Sequence, residues 1–184
     1  MLVGTHGRAS LRLLEHRDHL VHYRMAMFLY RTLVQIFTSR PYKIAGNSMF
    51  PALADGQYVL VARSSRSSRP LERGDIMVHR HPMGLAGIYV KRIIGLPGEH
   101  VRIDSGQVYV NEVPLEEDCP IFNNPDQEDP PQKEWWNDAD EYVVMGDNRL
   151  DSHDDSRAFG TVPAAQILGR VWLCYWPPKS WGVK

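Results

Sequence analysis

The chain has 184 residues, 43% of them hydrophobic, with 21 Lys and Arg against 22 Asp and Glu for a net charge of −1. That length holds one good domain with room for an inserted subdomain, and a charge so near zero argues against a nucleic-acid binder. Cys119 and Cys174 leave room for one disulfide at most; with no C-x-x-C pair they read as buried thiols and give no metal-ligand spacing.

Residues 1–40 are basic. Arg8, Arg12, Arg17, Arg24, Arg31, Arg40 and Lys43 precede Ile44 and face only Glu15 and Asp18. Leu20–Phe37 has helical character, broken by His22, Arg24, Arg31 and Gln35, and its longest uncharged apolar run is Met25–Tyr30. A membrane span needs about 20 mostly apolar residues, so the stretch is expected to lie in a membrane interface rather than to cross. An ordinary amphipathic docking helix is the alternative. No A-x-A cleavage site follows, so it is not a removable leader.

From Pro41 onward, residues 41–184, short β-type segments take over. Strands are predicted at Tyr42–Ala45, Tyr58–Ala62, Asp75–His79, Gly87–Gly95, Val101–Ile103, Gln107–Val110, Tyr142–Met145 and Ile167–Trp176. Turn signals separate them every ten or so residues: Leu96-Pro97-Gly98-Glu99, Asp104-Ser105-Gly106 and the Ser/Arg loop 64–73. Such a succession predicts a twisted antiparallel β domain, sandwich or barrel. Residues 114–140 interrupt it with prolines, acids and Trp135-Trp136 and have no alternation. This acidic insertion is expected to be a long surface excursion.

Three polar constellations stand at turns or on a strand. In Gly46-Asn47-Ser48-Met49-Phe50-Pro51, Gly46 permits unusual backbone angles and Pro51 fixes the exit. The turn can lift the Ser48 hydroxyl out of the sheet and aim backbone N–H groups at one point, as acyl transfer requires. A serine in a turn is more often only turn-forming. On the strand Gly87–Gly95, side-chain alternation puts Tyr89, Lys91 and Ile93 on one face. Covering that face would desolvate the Lys91 ammonium and lower its pKa toward that of a working base; otherwise the lysine snorkels to water. The third constellation, Gly146-Asp147-Asn148-Arg149 through Ser156-Arg157, is dense enough in Asp and Arg to interlock. His153 lies within it, but nothing requires that histidine as a base.

Taken together, Ser48-Met49-Phe50-Pro51, Lys91-Arg92-Ile93-Ile94-Gly95-Leu96-Pro97-Gly98, and Gly146-Asp147-Asn148-Arg149 followed by Ser152–Arg157 resemble the three boxes of the type I signal peptidases. The resemblance runs from about Tyr42 to Pro178. It implies a mostly antiparallel β core with an inserted variable subdomain, and a Ser-Lys dyad of Ser48 as nucleophile and Lys91 as general base. Ser152 would orient the lysine, Asp155 and Arg157 would hold the loop, and Gly46 and Asn47 would support the nucleophile's turn. No metal or nucleotide is implied. The implied partners are secretory preproteins, cut after small residues, and a membrane lipid surface, with the catalytic domain outside the cytoplasmic membrane.

The chain departs from the pattern in three places. Gly46 stands where the family often has a serine whose hydroxyl joins the oxyanion hole. One extra residue lies between Gly146 and Arg157, so either Asp154 or Asp155 could make the ion pair. The N-terminal segment is poor as a span. Related readings are an organellar inner-membrane preprotein peptidase and a self-cleaving repressor, whose DNA-binding domain would not fit in 40 residues. From another class comes an inactive β domain that binds extended peptides by strand addition. Intact Ser48 and Lys91 speak against that last one.

Overall fold

The computed structural model describes residues 22–27, 30, 32–63, 69–117 and 132–183. The chain divides into two compact units, Met1–Thr38 and Ser39–Lys184. In the first, residues 22–27 and 32–38 are helical, and Tyr23, Met25, Leu33 and Phe37 are exposed. Among the described residues no helix is long and apolar enough to cross a membrane.

The second unit is mainly antiparallel β. Its strands are β1 (Arg40–Lys43), β2 (Tyr58–Arg63), β3 (Ile76–Arg80), β4 (Ile88–Gly95), β5 (His100–Asp104), β6 (Gln107–Val110), β7 (Val113–Pro114), β8 (Lys133–Trp136), β9 (Glu141–Met145), β10 (Val162–Pro163), β11 (Ile167–Trp176) and β12 (Gly182–Val183). One sheet runs β1-β2-β11-β3-β4-β9-β10, with β12 paired to β11, and a smaller one runs β7-β6-β5-β8. The larger sheet is the scaffold of the three boxes: the first lies between β1 and β2, the second on β4, and the third after β9.

Alternation on these strands sends side chains to separate cores. Ile44, Met49, Leu53, Val59, Val61, Ile76, Val78, Val171 and Cys174 form one cluster. Met77, Ile93, Val144, Val162 and Ile167 form another, against which Leu71, Leu96 and Phe159 pack. Ile94, Val101, Ile103, Val108, Val110, Val143 and Met145 join the two sheets. Cys174 is a free, buried thiol, as the sequence suggested; Cys119 lies outside the described residues.

Two elements differ from the expectation. Within the excursion 114–140, Lys133–Trp136 is a strand paired along β5, with His100 opposite Trp136 and Ile103 opposite Lys133. Trp135 packs onto the core between the sheets. Its partner strand, not its own alternation, makes it a strand. Between Asp155 and Gly160, in a stretch read as loop, Ser156–Phe159 forms one helical turn. The Asp155 carboxylate caps it by accepting from the Arg157 N–H, and Gly160, with φ of 86°, ends it.

Candidate active site

The turn after β1 is held on both sides of Ser48. Gly46 has φ of 84°, a conformation that favours glycine, and its N–H donates to Asp55 Oδ1 at 2.8 Å. The Asn47 carbonyl accepts from the Phe50 N–H at 3.0 Å. Met49 and Leu53 are buried in the first core and anchor the turn from below. Ser48 is left half-buried, and its N–H donates to no group among the described residues. Asn47 is exposed.

Lys91 sits on β4 opposite Met77 of β3, on the face alternation assigned to it, and is only 3% exposed. Its Nζ donates to Ser48 Oγ at 3.0 Å and to Ser152 Oγ at 3.1 Å. Burial disfavours the ammonium and lowers the lysine's pKa from its ordinary value. Asp155, Asp154 and Asp147 pull the other way, and Arg157 adds to the lowering. The net direction is toward the neutral amine.

The loop after β9 completes the arrangement. Ser152 Oγ accepts from Lys91 and donates to Asp155 Oδ2 at 2.7 Å. Arg157 reaches both oxygens of that carboxylate, Nε to Oδ1 at 3.0 Å and Nη2 to Oδ2 at 2.9 Å, and also donates to the Ser152 carbonyl at 2.9 Å. The Gly146 N–H donates to Asp155 Oδ2 at 3.1 Å. Asp155 is fully buried; desolvation pushes its carboxyl up, but Arg157, Ser152 and the Gly146 N–H together hold it below the usual aspartate range. Asp155 is therefore the partner of Arg157, while His153 and Asp154 are exposed. The extra residue of the loop does not cost Ser152 its contact with Lys91.

Some participants are not singled out by reading the sequence. The Asn148 N–H donates to the Ser48 carbonyl at 3.0 Å and ties the loop to the turn that carries Ser48. At Gly146 any Cβ would run into Ser152 and the Ser48 carbonyl, so only glycine lets loop and turn approach so closely. Ser156 Oγ accepts from the Val144 N–H at 2.8 Å and seats the helical turn on β9. Arg92 grips Asp147. All five of these residues lay within the quoted boxes, but their contacts belong to the fold.

The chain is similar to known proteins over most of its length. Residues 17–176 match the family described as signal peptidase, peptidase S26. Signal peptidase I of Leptolyngbya laminosa is 36% identical over 157 residues, covering 81% of this chain and 74% of its own. Signal peptidase I U of Bacillus subtilis is 32% identical over 152 residues, covering 78% and 79%. A solved signal peptidase I from Enterococcus faecalis, at 31% identity, covers 56% of this chain and 98% of its own with a TM-score of 0.49. The protein is a peptidase. More narrowly, the chain belongs to the signal peptidase family, peptidase S26.

Proposed function

We propose that the protein is a serine endopeptidase that removes signal peptides from secretory preproteins after small residues, using Ser48 and Lys91. The observation that carries this is the 3.0 Å contact between Ser48 Oγ and a buried Lys91 Nζ. With the lysine neutral, its lone pair takes the Ser48 hydroxyl proton while Oγ attacks the scissile carbonyl. The Ser48 N–H is free to donate to the oxyanion that develops, with no serine hydroxyl beside it because the chain has Gly46.

Collapse of the tetrahedral species breaks the C–N bond. Lys91 returns its proton to the leaving amine and leaves an acyl ester on Ser48. The amine then takes a proton from water, whose oxygen attacks the ester, and the second collapse returns that proton to Ser48 Oγ. Ser152 orients the lysine through both steps, and Asp155 with Arg157 fixes Ser152. The relatives' names, signal peptidase I, support the substrate class. The reaction's place is the outer side of the cytoplasmic membrane, with the basic N-terminal segment toward the lipid surface.

The test is direct: incubate the purified chain with a secretory preprotein and weigh the products by mass spectrometry. Cleavage after a small residue, lost in Ser48→Ala and in Lys91→Ala, is expected. Cleavage by either variant at the wild-type rate refutes the dyad.

A further inference from the structure

The excursion 114–140 reaches the loop 146–157 twice, once on its way out of the smaller sheet and once on its way back. On the way out, the Leu115 N–H donates to the Val108 carbonyl of β6 at 2.8 Å, and its side chain packs on the core between the sheets. Two residues on, the Glu117 carboxylate accepts from Arg149 Nη2. On the way back, Lys133 of β8 lies opposite Ile103 of β5, and its Nζ donates to the Arg157 carbonyl. One contact thus falls near the start of the loop, the other on the helical turn that ends it.

Each contact bears on a group that is itself tied to Ser152. Arg149 also donates from Nε to the Gly146 carbonyl at 3.1 Å, and the Gly146 N–H donates to Asp155. Asp155 in turn holds Ser152, whose Oγ accepts from Lys91. The Arg157 carbonyl belongs to a helix four residues long, whose end carbonyls have no partner inside it. Lys133 supplies that partner and brings a cation to the negative end of the turn. Arg149 and Glu117 are 11% and 12% exposed. An ion pair so far out of water gains little net stability, since desolvation offsets the attraction; what it fixes is the direction in which Arg149 points.

We propose that Glu117 and Lys133 are positioning residues: through Arg149 and Arg157 they hold the loop 146–157 so that Ser152 stays against Lys91. This rests on the dyad reading above. Lys91 is fixed by its strand, which pairs with β3 and β9, and the Ser48 turn is anchored by buried Met49 and Leu53. Ser152 lies in no strand or helix, so slack in the loop displaces it first. The smaller sheet takes up that slack from outside the three boxes. Neither Glu117 nor Lys133 has a hydrogen bond to Ser48 or Lys91 among the described residues, so their effect passes through the loop.

The experiment measures kcat and KM for a peptide spanning a preprotein cleavage site in wild type, Glu117→Ala and Lys133→Met, each with and without Ser152→Ala. With Ser152 present, each substitution is expected to lower kcat about tenfold and leave KM within about twofold. Behind Ser152→Ala no hydroxyl is left to position, so each should change kcat by less than about twofold. A merely structural residue would lower the folded fraction, read by circular dichroism, or cost the same factor in both backgrounds. An unchanged kcat with Ser152 present, or equal losses in both backgrounds, overturns the proposal. Should Glu117→Ala fail to fold, Arg149→Met breaks the same contact from the loop side and is held to the same outcomes. Lys91→Ala, run alongside, separates the two claims. Cleavage surviving there removes the base itself, whereas an inactive Lys91→Ala with equal losses in both backgrounds removes only the role of Glu117 and Lys133.

Discussion

Arg92 clamps Asp147 with two parallel hydrogen bonds, Nε to Oδ1 at 2.7 Å and Nη2 to Oδ2 at 2.5 Å. Each residue stands beside one that matters. Arg92 follows Lys91 on β4, and Asp147 precedes Asn148, whose N–H holds the Ser48 carbonyl. The clamp therefore ties the Lys91 strand to the loop that holds the Ser48 turn. Both side chains are largely buried, at 11% and 2% exposure.

Removing one partner of such a pair leaves the other charge buried and unpaired. Arg92→Ala is expected to cost about 3–5 kcal/mol of folding stability by urea denaturation. Arg92→Lys keeps the charge but loses the planar fork and should cost less. Because a misplacement of about 1 Å can cost about a hundredfold in rate, activity of Arg92→Lys should fall further than its stability. Wild-type turnover in Arg92→Lys would mean that the spacing is set elsewhere.

Ser48 and Lys91 act as one unit in the mechanism proposed here. Each alanine variant should lose at least about a thousandfold in preprotein cleavage, and the double variant should be no worse than either single one. Multiplying losses, measured by product mass over long incubations, would count against a shared proton transfer. Both variants should keep the wild-type circular dichroism spectrum.

The rate should rise with pH through a midpoint below the ordinary lysine value, because burial favours the neutral amine. A profile still climbing steeply near pH 10 would contradict a desolvated Lys91. The same depression carries a sign for stability. Between the folded and the unfolded pKa of Lys91 the unfolded chain binds more protons, so this group favours folding more as pH rises through that window.

His79 gives a window in acid. Its pKa is lowered from 6.5 to about 4 by burial, with Lys91 and His81 adding to the lowering and the Arg80 carbonyl opposing it. The unfolded chain therefore takes up the proton first as pH falls from 6.5 toward 4. Stability fully present above 6.5 is lost across that range, by about 3 kcal/mol for a group so fully buried. His79→Phe should flatten that part of the curve, read as Tm against pH. An unchanged slope would locate the acid sensitivity in other groups.

The excursion 114–140 is expected not to be dispensable as a block, because part of it is paired into a sheet. Replacing residues 132–138 removes β8 and the Trp135 contact with the core between the sheets, and should destabilise the protein. Trp135→Ala alone should cost about 2 kcal/mol or more, given that large-to-small core changes run higher for fully buried aromatics. Replacing only residues 119–130 with a Gly/Ser linker should spare cleavage of a short peptide. Loss of that cleavage in a folded variant would place part of the site in the deleted stretch.

Much of this was legible from residue order because the relevant physics is local. Glycine and proline punctuate the strands, and two-residue alternation put Lys91 on one face with Tyr89 and Ile93. Gly46 and Pro51 marked a turn that could present Ser48. The fold class followed, since short strands with frequent turns can bury their apolar faces only in packed antiparallel sheets. The short helix 156–159 could have been found from the Asp155 cap and the closing Gly160, but four residues are too few to show a period.

Other features came only with tertiary structure. Lys133–Trp136 is a strand because β5 offers it partners, which nothing in the prolines and acids around it announces. The choice of Asp155 over Asp154 depended on which carboxylate the loop buries beneath Arg157. The 3.0 Å between Ser48 and Lys91, 43 residues apart, is made by β4 pairing with β9 and by Asn148 reaching back to the Ser48 carbonyl. A lysine's pKa depends on how much water and charge surround it. Those surroundings are assembled from β3, β4, the turn after β1 and the loop after β9, which no local window of the chain contains.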